Sequence, residues 1–588
     1  MVNFNIALFS IGQDTAAALL PEVTLFVGLI LLLVVPNLGN ATFRLPFTSR
    51  RIPCFFGGQR FKLTSHPAVP GVISTMVLLF AAIFALLSQM GEVSPVFGPA
   101  SHINEISTRG GDPLFTINAF SRLLEMIAYS ALLIAAIASL NTIPPTDPSE
   151  IPRTERGSPR AERERIQSMV DNRRQVDLHV LLILAAIGMS VVALASDLFV
   201  FFLGLELASL STYILVAFRK ETKEGSEGGA KYFIVGAVAS AVTLYGISLL
   251  YIWAGDLNFM TLREHWKDGP VDAIAIIGVL MILGGLGFKV SAAPFHFAAP
   301  DAYAGASAPI AGVLATASKA LGFVGVSRLL IGVALPVDAT TGAAWLLAVA
   351  LLAVVTMTWG NLAALDSKNP KRMLAYSSVA HAGYMLAAIA AVGATRTAGA
   401  DVLSTEAQLI MTAVLFHLAV LVSFKIGAFL VVALMEIQGR GYSLDDFKGL
   451  ARKEPVIGVA MFVFMLALAG IPPLSGFVSK MLMVLGIVQI GTSDAILTDT
   501  AITMAISGLN WVFWLALAVF VNSALSLFYY LRVGVIMFHD PADNDTRLPK
   551  ASALRIVILA CMVGTIIIGI FPNVLLEFAE TAASQFLG

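Results

Sequence analysis

The sequence predicts an all-α polytopic membrane protein of about fourteen transmembrane helices, and three observations carry that expectation. Of the 588 residues, 57% are hydrophobic and only 13% charged, where a soluble domain carries roughly 25% charged residues; mean hydropathy is +0.84. Apolar stretches of about 20 residues, each able to span a hydrocarbon core of about 30 Å, recur from end to end. The connecting loops alternate between basic and nearly uncharged, as they do when Lys and Arg collect on the cytoplasmic side. Alternating segments of about ten residues, the mark of a membrane barrel, do not occur in the sequence.

In chain order the expected spans are 17–36, 68–89, 115–140, 176–195, 198–218, 228–255, 271–295, 308–330, 343–363, 371–393, 406–436, 455–490, 503–532 and 552–575. With the N-terminus outside, 26 Lys and Arg fall in cytoplasmic loops, counting Lys371, Arg372, Arg532 and Arg555 at the adjoining span ends, and 4 in outward loops and tails; both termini are therefore expected outside. The first run, "AALLPEVTLFVGLILLLVVP", has no basic residue before it and no small-residue cleavage site after it. It reads as a retained span, not a signal peptide.

The same sequence limits the chemistry. Cys54 and Cys561 are far apart, and an iron–sulfur cluster or a structural zinc needs about four Cys or His ligands. There is no Walker loop and no G-x-G-x-x-G after a strand. The chain alone is expected to hold no metal, nucleotide or redox centre and to bind no nucleic acid; energy must reach it by coupling. Two cytoplasmic loops are long: 37–67, basic with Pro and Gly, and 142–175, "NTIPPTDPSEIPRTERGSPRAERERIQSMVDNRR". The second reads as a solvated, flexible insertion or as a docking surface for a partner.

Two spans look built to break. The seventh holds "LGGLGFKVSAAPFHF", with Gly284, Gly285, Gly287 and Pro294; the twelfth holds "AGIPPLSGFVSK", with Gly470, Pro472, Pro473 and Gly476. At about 1.5 Å per residue, 455–490 is too long for one straight span. The two lie five spans apart and so run in opposite directions, the pattern of an inverted repeat with function at the broken helices.

Apart from Lys371, Arg372, Arg532 and Arg555 at cytoplasmic span ends, seven basic residues remain inside spans. Arg122, Arg328 and Lys231 fall near span ends, where snorkelling is cheap. Lys289, Lys319, Lys425 and Lys480 have no such escape, and a Lys at a span centre costs at least about 2.5–3.5 kcal/mol. Glu206, mid-span in "FFLGLELASLSTYIL", is the natural partner for Lys289; His381 and His417 add groups that titrate near neutral pH. Burial disfavours an ammonium and a nearby carboxylate favours it. A Glu206 that moves relative to Lys289 would thus load and unload a proton. The bland alternatives are a static Glu206–Lys289 ion pair and a His381 that merely hydrogen-bonds within the bundle. His417 and Lys425, eight residues apart, extend a polar path or face a partner subunit. Glu22, in "LLPEV", reads as an interfacial residue.

The segments "GLELASLSTYILVAF", "GGAKYFIVGAVASAVTLYGISLLY", "GLGFKVSAAPFHFAAPDAYAGASAPIAGVLATASKALGF", "NPKRMLAYSSVAHAGYML" and "LAGIPPLSGFVSKMLM" resemble the antiporter-like membrane subunits of complex I, most of all the N-type (subunit 2) of NADH:quinone oxidoreductase, over roughly 110–540. The resemblance implies inverted five-helix repeats, helices 4–8 and 9–13. It divides the chain into helices 1–3 with the basic loop (1–141), the charged insertion (142–175), a proton-input half (176–332), a proton-output half (343–538) and the last helix (539–588). It implies that Glu206 modulates Lys289, that Lys319 connects the halves, that Lys480 serves the output half, and that His381 sits at the central position. It also implies sister antiporter-like subunits as partners, FMN, iron–sulfur clusters and quinone in other subunits, and a bacterial inner membrane. Three features depart from the pattern: the two insertions, Asn118 where an acid is common, and Lys425 where a small or neutral residue is expected. The function so implied is proton translocation from cytoplasm to outside, driven by quinone reduction elsewhere. A subunit of a multisubunit cation/proton antiporter would share the same lysines, and a static membrane scaffold is the third reading.

Overall fold

Hydrocarbon offers no hydrogen bonds to backbone groups, so a spanning segment must satisfy them internally, and the spans are helical throughout the computed structural model. It describes residues 18–38, 42–44, 51–53, 68–90, 104–107, 113–142, 159–220, 222–268, 271–335, 339–394, 405–492, 511–541 and 548–587. Cys54, most of the 37–67 loop and residues 143–158 of the charged insertion lie outside them. The helices are α1 Leu20–Leu38, α2 Val69–Gln89, α3 Ala119–Thr142, α4 Pro159–Leu194, α5 Leu198–Val216, α6 Lys223–Ala254, α7 Phe259–Asp268, α8 Ala273–Val290, α9 Ala299–Gly305, α10 Ala308–Ala315, α11 Ala317–Ser327, α12 Ala339–Asp366, α13 Pro370–Ala394, α14 Thr405–Glu436, α15 Leu450–Lys453, α16 Pro455–Ala469, α17 Ser475–Gly491, α18 Trp511–Phe538, α19 Ser552–Ile570 and α20 Asn573–Leu587. Two short antiparallel strand pairs, Thr42–Arg44 with Arg51–Pro53 and Asn104–Ser107 with Pro113–Ile117, and short 3-10 or π segments at Ala217–Arg219, Phe295–Ala298, Arg328–Val333 and Leu444–Phe447 complete the described elements.

Among the described residues, twelve helical segments are long and apolar enough to cross a membrane. The shorter α1 and the interrupted pair α16–α17 bring the spans to the fourteen expected. The interruptions fall where the sequence placed them. α8 stops at Ser291, which takes a left-handed φ of 60°, and the chain passes Pro294 into a 3-10 turn and then α9. α16 stops at Gly470, φ 83°, and α17 begins at Ser475. Only glycine takes such a φ without cost, so Gly470 is the residue that lets the chain leave the helix there.

α10 and α11 are buried along their whole length and α13 along nearly all of it, α14 nearly so too, whereas α6 and α19 show apolar side chains such as Ile234, Ile252 and Ile556 outward. The core of the bundle is thus the stretch α10–α11, α13 and α14, and lipid-facing helices surround it.

Several details differ from the sequence reading. α4 begins at Pro159, so the second half of the charged insertion is helical; its Arg, Glu, Gln and Ala are good helix formers, and Pro suits a first turn. The last span ends at Ile570, and beyond Pro572 the chain turns into α20, which packs back on α3 through Phe586 against Phe120, ring centroids 4.7 Å apart. The eighth span is also interrupted, at Thr316, between α10 and α11. Arg122 and Arg328 do not snorkel. Arg122 is buried against Glu22 (2.9 Å) and Glu125, so Glu22 is its ion-pair partner. Arg328 donates to the carbonyls of Val192, Ala193 and Ala195 at the end of α4, between the rings of Phe120 and Phe259. A planar five-donor guanidinium can satisfy several freed carbonyls at a helix end at once.

Candidate proton-transfer site

The first cluster is built by α5, α6 and α8. Asp197 caps α5 by accepting from the amides of Phe199 and Val200, and Asp272 caps α8 by accepting from that of Ala275. Gly285 lets α8 sit against α6: a Cβ there would lie 1.8 Å from Thr243 Oγ1. This close approach, and the stop at Ser291, leave Lys289 buried in the last turn of α8.

Lys289 Nζ donates to Ser209 Oγ (2.6 Å) and lies 5.5 Å from the Tyr213 ring centroid. Glu206 accepts from Ser240 Oγ (2.5 Å). No ion pair within 4 Å joins Glu206 to Lys289 among the described residues. The expected direct pair is replaced by an arrangement in which Ser209, one turn along α5 from Glu206, takes the lysine. Residues three apart share a helix face, so the carboxylate stays beside the ammonium without holding it.

Lys319 lies one turn past the Thr316 interruption and donates to the Ser378 carbonyl on α13 (2.5 Å). Gly322 on the same helix packs directly on the end of α8, since a Cβ there would meet Val290 Cγ1 at 2.8 Å. α11 therefore bridges the Lys289 cluster to the second half of the bundle.

The second cluster is built by α13, α14, α17 and α18. His381 Nδ1 and His417 Nε2 lie 2.9 Å apart with nearly stacked rings, and His417 Nδ1 lies 2.8 Å from Ser479 Oγ. Behind His381, its Nε2 is 3.4 Å from the Tyr530 hydroxyl; that hydroxyl bonds Ser377, and Lys425 Nζ donates to Ser377 Oγ (2.5 Å). Lys480 Nζ donates to the carbonyls of Leu468 (2.8 Å) and Ala469 (3.2 Å) and to Ser523 Oγ (3.2 Å), 5.3 Å from the Tyr384 ring. Those two carbonyls belong to the last turn of α16, where the break leaves acceptors with no partner in their own helix.

All the singled-out residues thus meet in two clusters joined through Lys319. His417 and Lys425 face this interior line, not the bundle's outer surface. Sequence reasoning missed the uncharged members: Ser209, Ser240, Tyr213, Ser377, Ser479, Ser523 and Tyr530. A signal was present for some of them, because hydroxyls sit three or four residues from a charged group, as in Glu206–Ser209 and Ser377–His381, or beside it, as in Ser479–Lys480. It also missed a buried ion cluster where the halves meet: Glu436 at the end of α14 is 2.6 Å from Lys371 and 3.1 Å from Arg219.

The model of the family described as NADH:quinone oxidoreductase/Mrp antiporter, TM, matches residues 195–507. The NADH-quinone oxidoreductase subunit N of Heliobacterium modesticaldum is 37% identical over 416 residues, covering 70% of this chain and 79% of that protein. The F(420)H(2) dehydrogenase subunit N of Methanosarcina mazei is 31% identical over 543 residues, covering 88% and 97%. Among solved structures, a chain of respiratory complex I from Thermus thermophilus superposes with a TM-score of 0.65 at 25% identity, covering 95% of this chain and 99% of that one. A chain of the Mrp complex from Dietzia sp. superposes with a TM-score of 0.72 at 20% identity, covering 98% and 97%; that likeness is one of fold.

Proposed function

This chain belongs to the NADH:quinone oxidoreductase/Mrp antiporter transmembrane family, and we propose that it is the N-type proton-translocating subunit of a complex I-like quinone oxidoreductase. Protons enter from the cytoplasm to Lys289, whose affinity Glu206 sets from the neighbouring turn. They continue through Lys319, His381 and Lys480 and leave on the outer side, with both termini outside. Flavin, iron–sulfur clusters and quinone belong to partner subunits, among them sister antiporter-like chains, in a bacterial inner membrane. The division into an input half (176–332) and an output half (343–538) is part of the same reading.

The observation that carries this reading is the buried line of lysines and histidines, each ammonium bound by hydroxyl or carbonyl oxygens and none held by a carboxylate within the two clusters. A static scaffold would neutralise its buried charges with opposite ones, because an unpaired buried ion is costly. Groups left with neutral acceptors can give up their proton without stranding a counter-charge. Moving one charge across 100 mV is worth about 2.3 kcal/mol, which is within reach of moving a carboxylate past an ammonium in a dry site.

The test is purification of the native complex in mild detergent, with its chains identified and flavin and iron assayed. Flavin and iron–sulfur subunits beside sister antiporter-like chains support the redox-driven pump. Small membrane subunits alone, with sodium-driven proton exchange, favour the antiporter reading, for which the fold shared with the Mrp chain is the supporting observation. The Methanosarcina relative makes the electron donor the point to measure: oxidation of NADH, reduced deazaflavin and reduced ferredoxin by the same preparation distinguishes them.

A further inference from the structure

Among the described residues, Lys425 is a buried lysine outside any ion pair that the path just described does not use, and the groups beyond it form an unbroken chain of hydrogen bonds. From Lys425 Nζ the contacts run to Ser377 Oγ (2.5 Å), to the Tyr530 hydroxyl, to His381 Nε2 (3.4 Å), from His381 Nδ1 to His417 Nε2 (2.9 Å), and from His417 Nδ1 to Ser479 Oγ (2.8 Å). Ser479 Oγ then donates to the Gly476 carbonyl (3.1 Å) in the first turn of α17. Lys425, His417, Ser377, Ser479 and Tyr530 are fully buried, and His381 almost so.

The two ends favour one polarity for the groups between them. An ammonium can only donate and a carbonyl can only accept. With Lys425 charged and Ser377 accepting from it, the arrangement in which each group donates once and accepts once has Ser377 donating to Tyr530 and Tyr530 to His381 Nε2. His381 then carries its proton on Nδ1 and donates to His417 Nε2, and His417 carries its proton on Nδ1 and donates to Ser479. Each of these groups has one donor and one acceptor in use, and no link leaves two donors or two acceptors facing each other.

We propose that Ser377 and Tyr530 form a directed proton relay that carries a proton from Lys425 to the His381–His417 pair, so that this lysine feeds the histidines of the output half. The proposal rests on the proton-translocating reading above. In one transfer, a Lys425 N–H bond breaks as Ser377 gains that proton. The original Ser377 proton passes to Tyr530, and the original Tyr530 proton forms an N–H bond at His381 Nε2. One proton and one positive charge move, no electrons are exchanged, and Lys425 is left as a neutral amine. Ser377 and Tyr530 then point the opposite way, so a second proton cannot follow until both hydroxyls rotate back. The relay thus passes one proton per reset.

The experiment uses the whole complex in proteoliposomes, driven by its own electron donor, and reads protons moved per electron. Tyr530→Phe and Ser377→Ala each remove one oxygen from the chain, and Lys425→Met removes its head. A lost relay group slows its transfer step on the order of a hundredfold. The three variants are expected to fall to one common reduced ratio, with Tyr530→Phe plus Lys425→Met no lower than either alone and Ser377→Thr restored to the wild-type ratio. If Tyr530→Phe does not assemble, the Ser377→Ala and Ser377→Thr pair decides. A wild-type ratio in Tyr530→Phe or Ser377→Ala overturns the relay, as do losses that simply add in the double variant, the behaviour of independent structural effects. Lys289→Ala in the same preparation separates the two claims: loss of pumping there, with intact pumping in Tyr530→Phe, overturns the relay alone. Intact pumping in Lys289→Ala overturns the underlying reading and the relay with it.

Discussion

The two halves of the bundle hold equivalent lysines in different ways. Lys289 and Lys480 each lie at the break of a span and over a tyrosine ring, at 5.5 and 5.3 Å. Lys289 has a single hydroxyl acceptor and a carboxylate, Glu206, one turn along the neighbouring helix. Lys480 has two freed carbonyls and a hydroxyl, with a histidine pair beside it in place of a carboxylate. On the proposed function the first lysine would be tuned by the Glu206 charge, whereas the second sits against backbone dipoles at the helix end. A movable charge is useful where a proton must be taken up in step with a distant event, and fixed dipoles suffice where it is only received and passed on.

The comparison breaks most plainly if one lysine proves dispensable. Lys289→Ala and Lys480→Ala are each expected to cut coupled proton movement on the order of a hundredfold or more, measured as acidification in proteoliposomes containing the assembled complex. Unimpaired pumping in either would mean that its cluster is structural and that the likeness of the two halves is only architectural.

A smaller, one-sided effect is expected from Glu206→Gln. It removes the field at Lys289 and leaves the geometry of its hydrogen bond to Ser209, so pumping should fall by roughly tenfold, about what 1.4 kcal/mol represents. The double variant with Lys289→Ala should be no worse than Lys289→Ala alone, because the carboxylate acts through the lysine. Changes that add would show instead that Glu206 faces another partner, and would remove the contrast between a tuned half and a fixed one.

How much of this was legible in the sequence follows from what each feature depends on. Spans were legible because hydropathy decides them, and the seventh and twelfth breaks because Gly and Pro announce them. The Thr316 interruption carries no such mark: "GVLATASKALG" reads as continuous helix. The burial of Arg122 was hidden because its partner Glu22 lies 100 residues away and looks interfacial by itself. The lysines and histidines were legible as expensive residues in hydrocarbon. Which of them touch was not, since Ser209 displaces Glu206 as the direct partner of Lys289 only once α5 and α8 are docked, and Tyr530 reaches His381 from 149 residues away. Ion pairing between charged residues can be guessed from type; relay through neutral hydroxyls depends on docking.

The smallest effect sharpens the comparison furthest. Both ammonium groups lie over a tyrosine face, an attraction of about 0.5–2 kcal/mol. Phenylalanine keeps the ring and leucine does not, so Tyr213→Phe and Tyr384→Phe should pump nearly as wild type, while the leucine variants should lose a few-fold. The two losses should differ. At Lys289 the ring is one of few favourable neighbours, with a single hydrogen-bond acceptor beside it. At Lys480 three oxygens already hold the ammonium, and the ring adds proportionately less. Tyr213→Leu is therefore expected to slow pumping more than Tyr384→Leu, read as initial acidification rates at matched complex content. The reverse order would mean that the output lysine leaves its carbonyls during the cycle and relies on the ring while it travels, so that the half with fixed dipoles would be the one that moves.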